Sequence, residues 1–570
     1  MFYALTRSVR SKPSLSILWS NILSGLTVGV IALPLSMALA IASGVPPQNG
    51  LYTAIVAGIV IALTGGSKVN VSGPTAAFVV LLLPIVQQHG LGGLLFSGFM
   101  AGIILVLMGI LRLGSLIEVM PYPVTVGFTA GIGVVIATLQ VKDLLGLDLV
   151  SLDGHFPEQV ATLISALPTL DWREALIGAV TFLVLVLWPR VRSQIPGHLV
   201  ALLAGSCAAL SLVEVFDGFT VETIGSRFQY VIDGVTGSGI PPVLPEFMWP
   251  WQQPGPNGEP IGFSFSLVNT LIGSALSIAM LGAIESLLCA VVADGMSGKK
   301  HNPNDELIGQ GIGNLIAPLF SGIPATAALA RTAANIRAGG SLPLSSVVHS
   351  LFILAAILVL APLLAYIPMA SMAALLIMVA WNMSEARHFV RTLRIAPRQD
   401  VITLLTCFSL TVIFDMVVAV SVGVGLAAAL FIRRSIALTG VDLRGAFTND
   451  KKAETQDLPK GLAVYDIKGP LFFGSAHKAI RQIGMVSPDV CVVILEMTQV
   501  TMLDMTAIVS MESIVKELRG HRIGLIINNL HPRMILKLRR AGVRERVGQI
   551  AFSRSLDEAL KIYEEKFSGE

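Results

Sequence analysis

Ile323-Pro324-Ala325-Thr326-Ala327-Ala328-Leu329-Ala330-Arg331-Thr332-Ala333-Ala334-Asn335 places an arginine between two apolar runs, 312–320 and 344–366. A cation at bilayer depth is costly, so it turns to a cavity or a partner and carries a function. Pro324, with small residues on both sides, predicts a helix that begins inside the membrane. The N-terminus of a helix carries partial positive charge and free N–H groups. An arginine at the same place makes an anion site.

The rest of the chain supports a lipid setting. Of its 570 residues, 54% are hydrophobic and 13% charged, and the mean hydropathy is +0.75. Soluble domains carry about 25% charged residues. Apolar segments fall near 18–42, 51–64, 74–88, 92–111, 121–140, 174–190, 197–214, 266–293, 306–320, 326–337, 342–366, 370–383, 400–415 and 417–435. Most approach the roughly 20 residues that span a bilayer. The expected fold is a polytopic α-helical membrane protein of about fourteen transmembrane segments. The first run is too long for a signal-peptide core, and no convincing cleavage site follows it.

Charge sets the orientation. With the N-terminus inside, the inner loops hold Lys68, Arg112, Arg190, Arg192, Lys299, Lys300, Arg337, Arg387, Arg391, Arg394 and Arg398, and Arg433 and Arg434 follow the last span. The outer loops hold Lys142, Arg173 and Arg227 among ten acidic residues, from Asp143 to Glu259. This positive-inside pattern implies an even number of spans and cytoplasmic termini. An extracytoplasmic linker, 215–265, separates two transmembrane repeats, 17–214 and 266–436, behind a short N-terminal segment, 1–16. The third span of each repeat, 74–88 and 326–337, is short and follows a Gly/Pro break. Paired interruptions of this kind point to a transporter site, and seven spans per repeat make the repeat inverted.

Beyond Arg434 the composition turns polar. A linker at 437–459 precedes a domain at 460–570 with strands at Leu462–Ile467, Val490–Leu495 and Ile523–Ile527 and helices at Ala476–Gly484, Met505–Leu518 and Pro532–Ala541. Alternating strands and helices make a small α/β domain.

Several constellations bear chemistry. In Asn70-Val71-Ser72-Gly73-Pro74-Thr75-Ala76-Ala77-Phe78, an extended stretch meets Gly73-Pro74 and a helix begins, with Pro74 expected in its first turn. The N–H groups near Ala76 and Ala77 then lie near mid-membrane, although a kinked packing helix would show the same residues. Glu285 and Cys289 lie one turn apart inside the apolar run 266–293. Desolvation favours the neutral form of a carboxylate, so Glu285 is a candidate proton carrier. It is equally a candidate salt-bridge partner for Arg331 that closes an empty site. His301 and Asp305 lack a second histidine in range and read as a capped loop. No metal or cofactor is expected. Gly309, Gly311 and Gly313 lack a preceding strand and read as close helix packing. Cys207, Cys289, Cys407 and Cys491 show no metal spacing and read as packing residues. Asp504 reads as a helix N-cap beside Thr506.

Pro34-Leu35-Ser36-Met37-Ala38-Leu39-Ala40, Gly50-Leu51-Tyr52, Val71-Ser72-Gly73-Pro74-Thr75, Glu306-Leu307-Ile308-Gly309-Gln310-Gly311-Ile312-Gly313-Asn314 and Arg331–Gly339 together resemble the SulP (solute-carrier-26) anion transporters. The soluble tail is similar to their STAS domain. Leu281–Gly298 and Trp381-Asn382-Met383-Ser384-Glu385-Ala386 look most like bacterial DauA-type C4-dicarboxylate transporters. The resemblance implies a seven-plus-seven inverted repeat of core and gate domains, an elevator-like motion and a homodimer in a bacterial inner membrane. It implies a substrate site at Ser72, Gly73, Pro74, Thr75, Ala76, Ala328, Leu329, Ala330 and Arg331, with Ser36 from the first span. Glu285 and Cys289 match positions that, in sodium-coupled bicarbonate relatives, are Asp and Thr. A thiol is a poor ligand for a hard cation, so protons are the expected coupling ion. Leu35 stands where many sulfate members have Gln, which weakens sulfate as the substrate. In the tail, Asp504-Met505-Thr506-Ala507 lacks the first Ser and the Gly of the sigma-factor regulators' phosphorylation loop, so a structural or protein-docking role is expected.

The expected function is therefore proton-coupled uptake of C4-dicarboxylates such as succinate, fumarate or aspartate. The alternatives are sulfate or bicarbonate transport, an uncoupled anion channel, or an anion receptor that signals through its tail. No nucleophile–base pair suggests an enzyme. Expected partners are a small anion, protons, membrane lipid and a cytoplasmic protein at the tail, with no nucleic acid.

Overall fold

The structure, a computed structural model, describes residues 3–567 apart from 11, 118–119, 150–151, 153, 155, 192, 194, 217, 233, 415, 439, 445–458, 460 and 473–489. The expected helix Ala476–Gly484 and most of the linker 437–459 lie outside the described residues. So do four residues of the charge census, Asp153, Arg192, Asp217 and Asp233. The chain divides into one unit of residues 1–424 and another of residues 425–570.

The larger unit is helical. Its first half holds α1 (Leu15–Ala42), α2 (Pro47–Thr64), a two-residue strand β1 (Ser72–Gly73), α3 (Ala76–Ile110), α4 (Tyr122–Leu139), α5 (Trp172–Leu187) and α6 (Gly197–Val215). A hairpin of β2 (Gln229–Ile232) and β3 (Val235–Ser238) lies in the connecting segment. The second half holds α7 (Phe265–Ser297), α8 (Pro303–Ile316), β4 (Thr326–Ala327), α9 (Leu329–Arg337), α10 (Leu344–Leu364), α11 (Met369–Met383), α12 (Arg398–Ile413) and α13 (Met416–Leu438), the last crossing into the smaller unit. Among the described residues, ten helices are long and apolar enough to cross a membrane. Gly90, at φ 68°, breaks α3 into two helices, because only a residue without Cβ adopts that conformation freely. Counting α3 as two and adding the shorter α8, α9 and α12 gives fourteen segments, seven in each half.

The two halves meet through their broken third segments. β1 pairs antiparallel with β4, with Ser72 opposite Ala327 and Gly73 opposite Thr326. Antiparallel pairing means the two chains cross the centre in opposite senses, as an inverted repeat requires. It also corrects both predicted helix starts. Pro74 and Pro324 are not in helices: α3 begins at Ala76 and α9 at Leu329. A proline pushes the residue before it towards extended backbone, and here the segments extend far enough to pair. Close helix contacts elsewhere use small residues, as membrane packing favours. An added Cβ on Gly311 would lie 2.6 Å from Val106 N, and one on Gly309 2.5 Å from Gly65 Cα. The glycines of α8 therefore serve helix packing.

The smaller unit is a five-stranded sheet in the order β5 (Gly440–Arg444), β6 (Leu462–Lys468), β7 (Val492–Gln499), β8 (Gly524–Asn528), β9 (Ile550–Ser553). Its described helices are α14 (Met505–Gly520), α15 (Pro532–Arg540) and α16 (Leu556–Lys566). β6 to β9 are parallel and β5 is antiparallel to β6. The interior strands are buried on both faces, with Val464, Ile494 and Ile526 on one and Val493, Leu495 and Ile527 on the other. The linker expected over 437–459 thus contains an edge strand, and the expected domain lacked β9 and α16. Asp504 does cap α14, accepting from Ala507 N at 2.8 Å. Of the four cysteines read as packing residues, Cys289 and Cys407 are buried, whereas Cys207 and Cys491 are exposed.

Candidate anion site between two half-helices

Arg331 is the third residue of α9 and is 1% exposed, the largest fully buried side chain among the described residues. A cation there opposes the positive end of its own helix. Its Nη2 donates to the carbonyl of Pro74. Among the described residues, Nε and Nη1 have no hydrogen-bond partner. The guanidinium lies against Gly73, where an added Cβ would come 2.6 Å from Nη1. Glycine at 73 is therefore what lets the arginine reach the start of α3.

Neither half-helix is capped by a side chain. Thr75 is the N-cap of α3 and Ala328 of α9, and no side-chain cap bond is made at either. Ala328 has no side chain for the purpose. Thr75 does, but its Oγ1 donates instead to Glu285 Oε2 at 3.0 Å. Two uncapped N-termini and a guanidinium with spare donors thus converge on one place. Apart from the Glu285 carboxylate on the far side of Thr75, the three positive features have no negative partner among the described residues and favour an anion among them.

The sequence-predicted residues fall as follows. Ser72, Gly73, Pro74, Thr75 and Ala76 form the end of β1 and the start of α3 and are buried. Ala328 is buried, whereas Leu329 and Ala330 are exposed at the first turn of α9. Glu285, on α7, reaches the site through Thr75. No ion pair joins it to Arg331, so the expected salt bridge is not made: Thr75 takes the carboxylate, and the guanidinium turns to a backbone carbonyl. Cys289 packs one turn further on, with its Sγ 3.4 Å from Thr332 Oγ1, and Thr332 accepts from Val71 N at 3.0 Å. Ser36 is buried in α1 just after Pro34, and among the described residues its Oγ has no hydrogen-bond partner. No hydrogen bond connects it to the rest of the set. His301 is held by Asp294, with Nδ1 2.9 Å from Oδ2, and among the described residues no group of three or more His, Cys, Asp or Glu side chains is placed to hold a metal ion.

Sequence reasoning missed the scaffold beneath. Glu306, 1% exposed, accepts from Gly66 N and Ser67 N at 2.9 Å through Oε2. Its Oε1 accepts from Asn70 Nδ2 at 2.9 Å and Gln310 Nε2 at 3.2 Å. Gln310 Nε2 also donates to Ser72 Oγ at 3.0 Å. One turn on, Asn314 clamps Ala325 on both backbone groups, at 2.7 and 2.8 Å. Ser286 Oγ lies 2.6 Å from Thr326 Oγ1. A signal existed: Glu306, Gln310 and Asn314 repeat every four residues, a polar stripe on one face of an apolar helix.

Two half-helices that meet head to head, with an arginine at the meeting point, fit a membrane anion transporter built as an inverted repeat. The chain belongs to the sulfate permease family, whose model matches residues 18–406, and a STAS domain model matches residues 452–559. It is 39% identical over 539 residues to "Putative sulfate transporter YvdB" of Bacillus subtilis, covering 94% of this chain and 96% of that one. It is 29% identical over 517 residues to the bicarbonate transporter BicA of Picosynechococcus, covering 87% and 86%. The solved transmembrane domain of a cyanobacterial BicA matches with TM-score 0.61 at 28% identity, over 73% of this chain and 98% of that one. The overall structure of SLC26A9 matches with TM-score 0.83 over 99% and 93%, at 18% identity.

Proposed function

We propose that this protein is a secondary active carrier in which Arg331 and the N-termini of α3 and α9 hold a small oxyanion or carboxylate. The observation that carries the reading is the fully buried Arg331 with spare donors between two uncapped half-helices. Glu285 bonds the N-cap residue of α3, so its protonation state reaches the helix start directly. Protonation would alter the Thr75 bond and the local charge together, which couples a proton to the anion. Cys289 lies where a hard cation would need oxygen, which supports protons over sodium.

The names of the relatives favour sulfate or bicarbonate as the anion. Uptake of a C4-dicarboxylate such as succinate is the second reading, drawn from the likeness of Leu281–Gly298 and Trp381–Ala386 to DauA-type transporters. A guanidinium and two helix ends accept either chemistry. Proteoliposomes with imposed proton and sodium gradients, given labelled sulfate, bicarbonate and succinate in turn, separate the readings. Uptake of one anion, raised by an inward proton gradient and competed by none of the others, identifies the substrate. Currents far faster than a carrier cycle would replace this reading with a channel. An elevator-like motion of core against gate, a homodimer, a bacterial inner-membrane location with cytoplasmic termini, and a cytoplasmic partner for the STAS domain belong to the same proposal.

A further inference from the structure

The segment 242–265 between the two repeats has a polar middle, 252–259, flanked on both sides by large hydrophobics. Leu244, Phe247, Met248, Trp249, Phe263 and Phe265 are all exposed large hydrophobics, with Phe265 at 86%. Their aromatic rings, joined through the half-buried Trp251 and ending on the half-buried Phe320, form one connected row. Phe265 meets Phe263 at 6.2 Å between centroids, Phe263 meets Trp251 at 5.5 Å, and Trp251 stacks on Trp249 at 4.8 Å. Trp249 meets Phe247 at 5.3 Å, and Phe247 meets Phe320 at 5.9 Å. Phe96, buried in α3, supports the row from below.

Backbone bonds hold the row in place. Gly92 N donates to Pro254 O at 2.8 Å, and Met248 N to Leu319 O at 2.8 Å. Gln253 Nε2 donates to Ser321 Oγ at 2.8 Å. The row therefore lies across the ends of three membrane segments: the second half of α3, the start of α7 and the turn after α8. Phe265 is itself the first residue of α7, a 33-residue helix long and apolar enough to span. The opposite ends of these elements carry Arg112 after α3, and Lys299 and Lys300 between the end of α7 and the start of α8. Aromatic rings gather at membrane–water interfaces, where an apolar face meets lipid and a polar edge meets water.

We propose that the segment 242–265 is an interfacial anchor whose aromatic row is covered by the headgroup and upper acyl region of the bilayer, fixing the depth of α3, α7 and α8. The occupant is lipid because the row continues without a gap into the first residue of a membrane span.

The test uses the full chain in nanodiscs of phosphatidylcholine brominated at a shallow or a deep acyl position. Trp249→Phe with Trp251→Phe keeps an aromatic ring at each position, so the fold is expected to be retained. Subtracting its tryptophan emission from that of the unsubstituted protein isolates these two residues. The expected result is that shallow bromines quench the difference signal by about half or more and deep ones less, while aqueous iodide has little effect. Quenching by iodide with none by bromolipid would show a water-facing row and overturn the proposal. Quenching by neither would show a protein cover, a second copy included, and would overturn it as well.

Discussion

At the scale of the residue, the proposed site turns on Arg331. A guanidinium in the first turn of its own helix is held against the helix dipole, so its place must be justified by an anion. Arg331→Ala is expected to abolish saturable anion uptake in proteoliposomes and to lower the melting temperature, because it leaves a cavity and a buried Pro74 carbonyl without its donor. Arg331→Lys keeps the charge but loses the planar fork, and should raise KM by about tenfold or more. Gly73→Ala tests the same group from the other side. The methyl would meet Nη1 and displace the guanidinium, and a displacement of about 1 Å can cost on the order of 100-fold in rate. Normal uptake by that variant would show that Arg331 works from elsewhere. Glu285→Gln keeps the Thr75 contact and removes the titrating proton. Its uptake should no longer respond to an imposed pH gradient; a response like that of the unsubstituted protein would remove Glu285 from coupling. Arg331 and Glu285 were legible in the sequence because charge inside an apolar run is costly and therefore rare. Their separation was not, since it depends on which hydrogen-bond partner each finds first.

At the scale of the element, the half-helices are only as well placed as β1 and β4. Glu306 holds the turn before β1 with four accepted bonds, and Asn314 holds the turn before β4. Glu306→Ala leaves two backbone N–H groups buried without acceptors, at about 1–3 kcal/mol each. A lower melting temperature and lost uptake should follow. Glu306→Gln can keep one oxygen on the two backbone donors, while Asn70 and Gln310 turn their amides to meet its NH2. It should therefore retain most of the uptake. Equal loss in both variants would assign Glu306 to charge rather than to position. Composition and period revealed the fourteen segments, because a long apolar helix announces itself. They did not reveal β1 and β4. Two residues of strand are too short to show alternation, and prolines allow both a helix start and an extended approach. The hairpin at 229–238 and the edge strand at 440–444 escaped for the same reason, being short and flanked by polar residues.

At the scale of the whole molecule, the proposed site draws on both halves: the first supplies β1 and the start of α3, the second Arg331, Glu285 and the start of α9. The repeat was legible because the same interruption occurs third in each half. The substrate was not, because a guanidinium and two helix ends recognise charge and oxygen geometry without measuring the rest of the anion. Coupling to protons predicts that an imposed sodium gradient leaves uptake unchanged in full-length protein, and sodium-driven accumulation would contradict it. The most direct measurement is uptake of labelled sulfate, bicarbonate and succinate by proteoliposomes holding either the unsubstituted protein or Arg331→Ala. The site described here predicts saturable uptake of at least one anion by the former and none by the latter; equal uptake by both would contradict it.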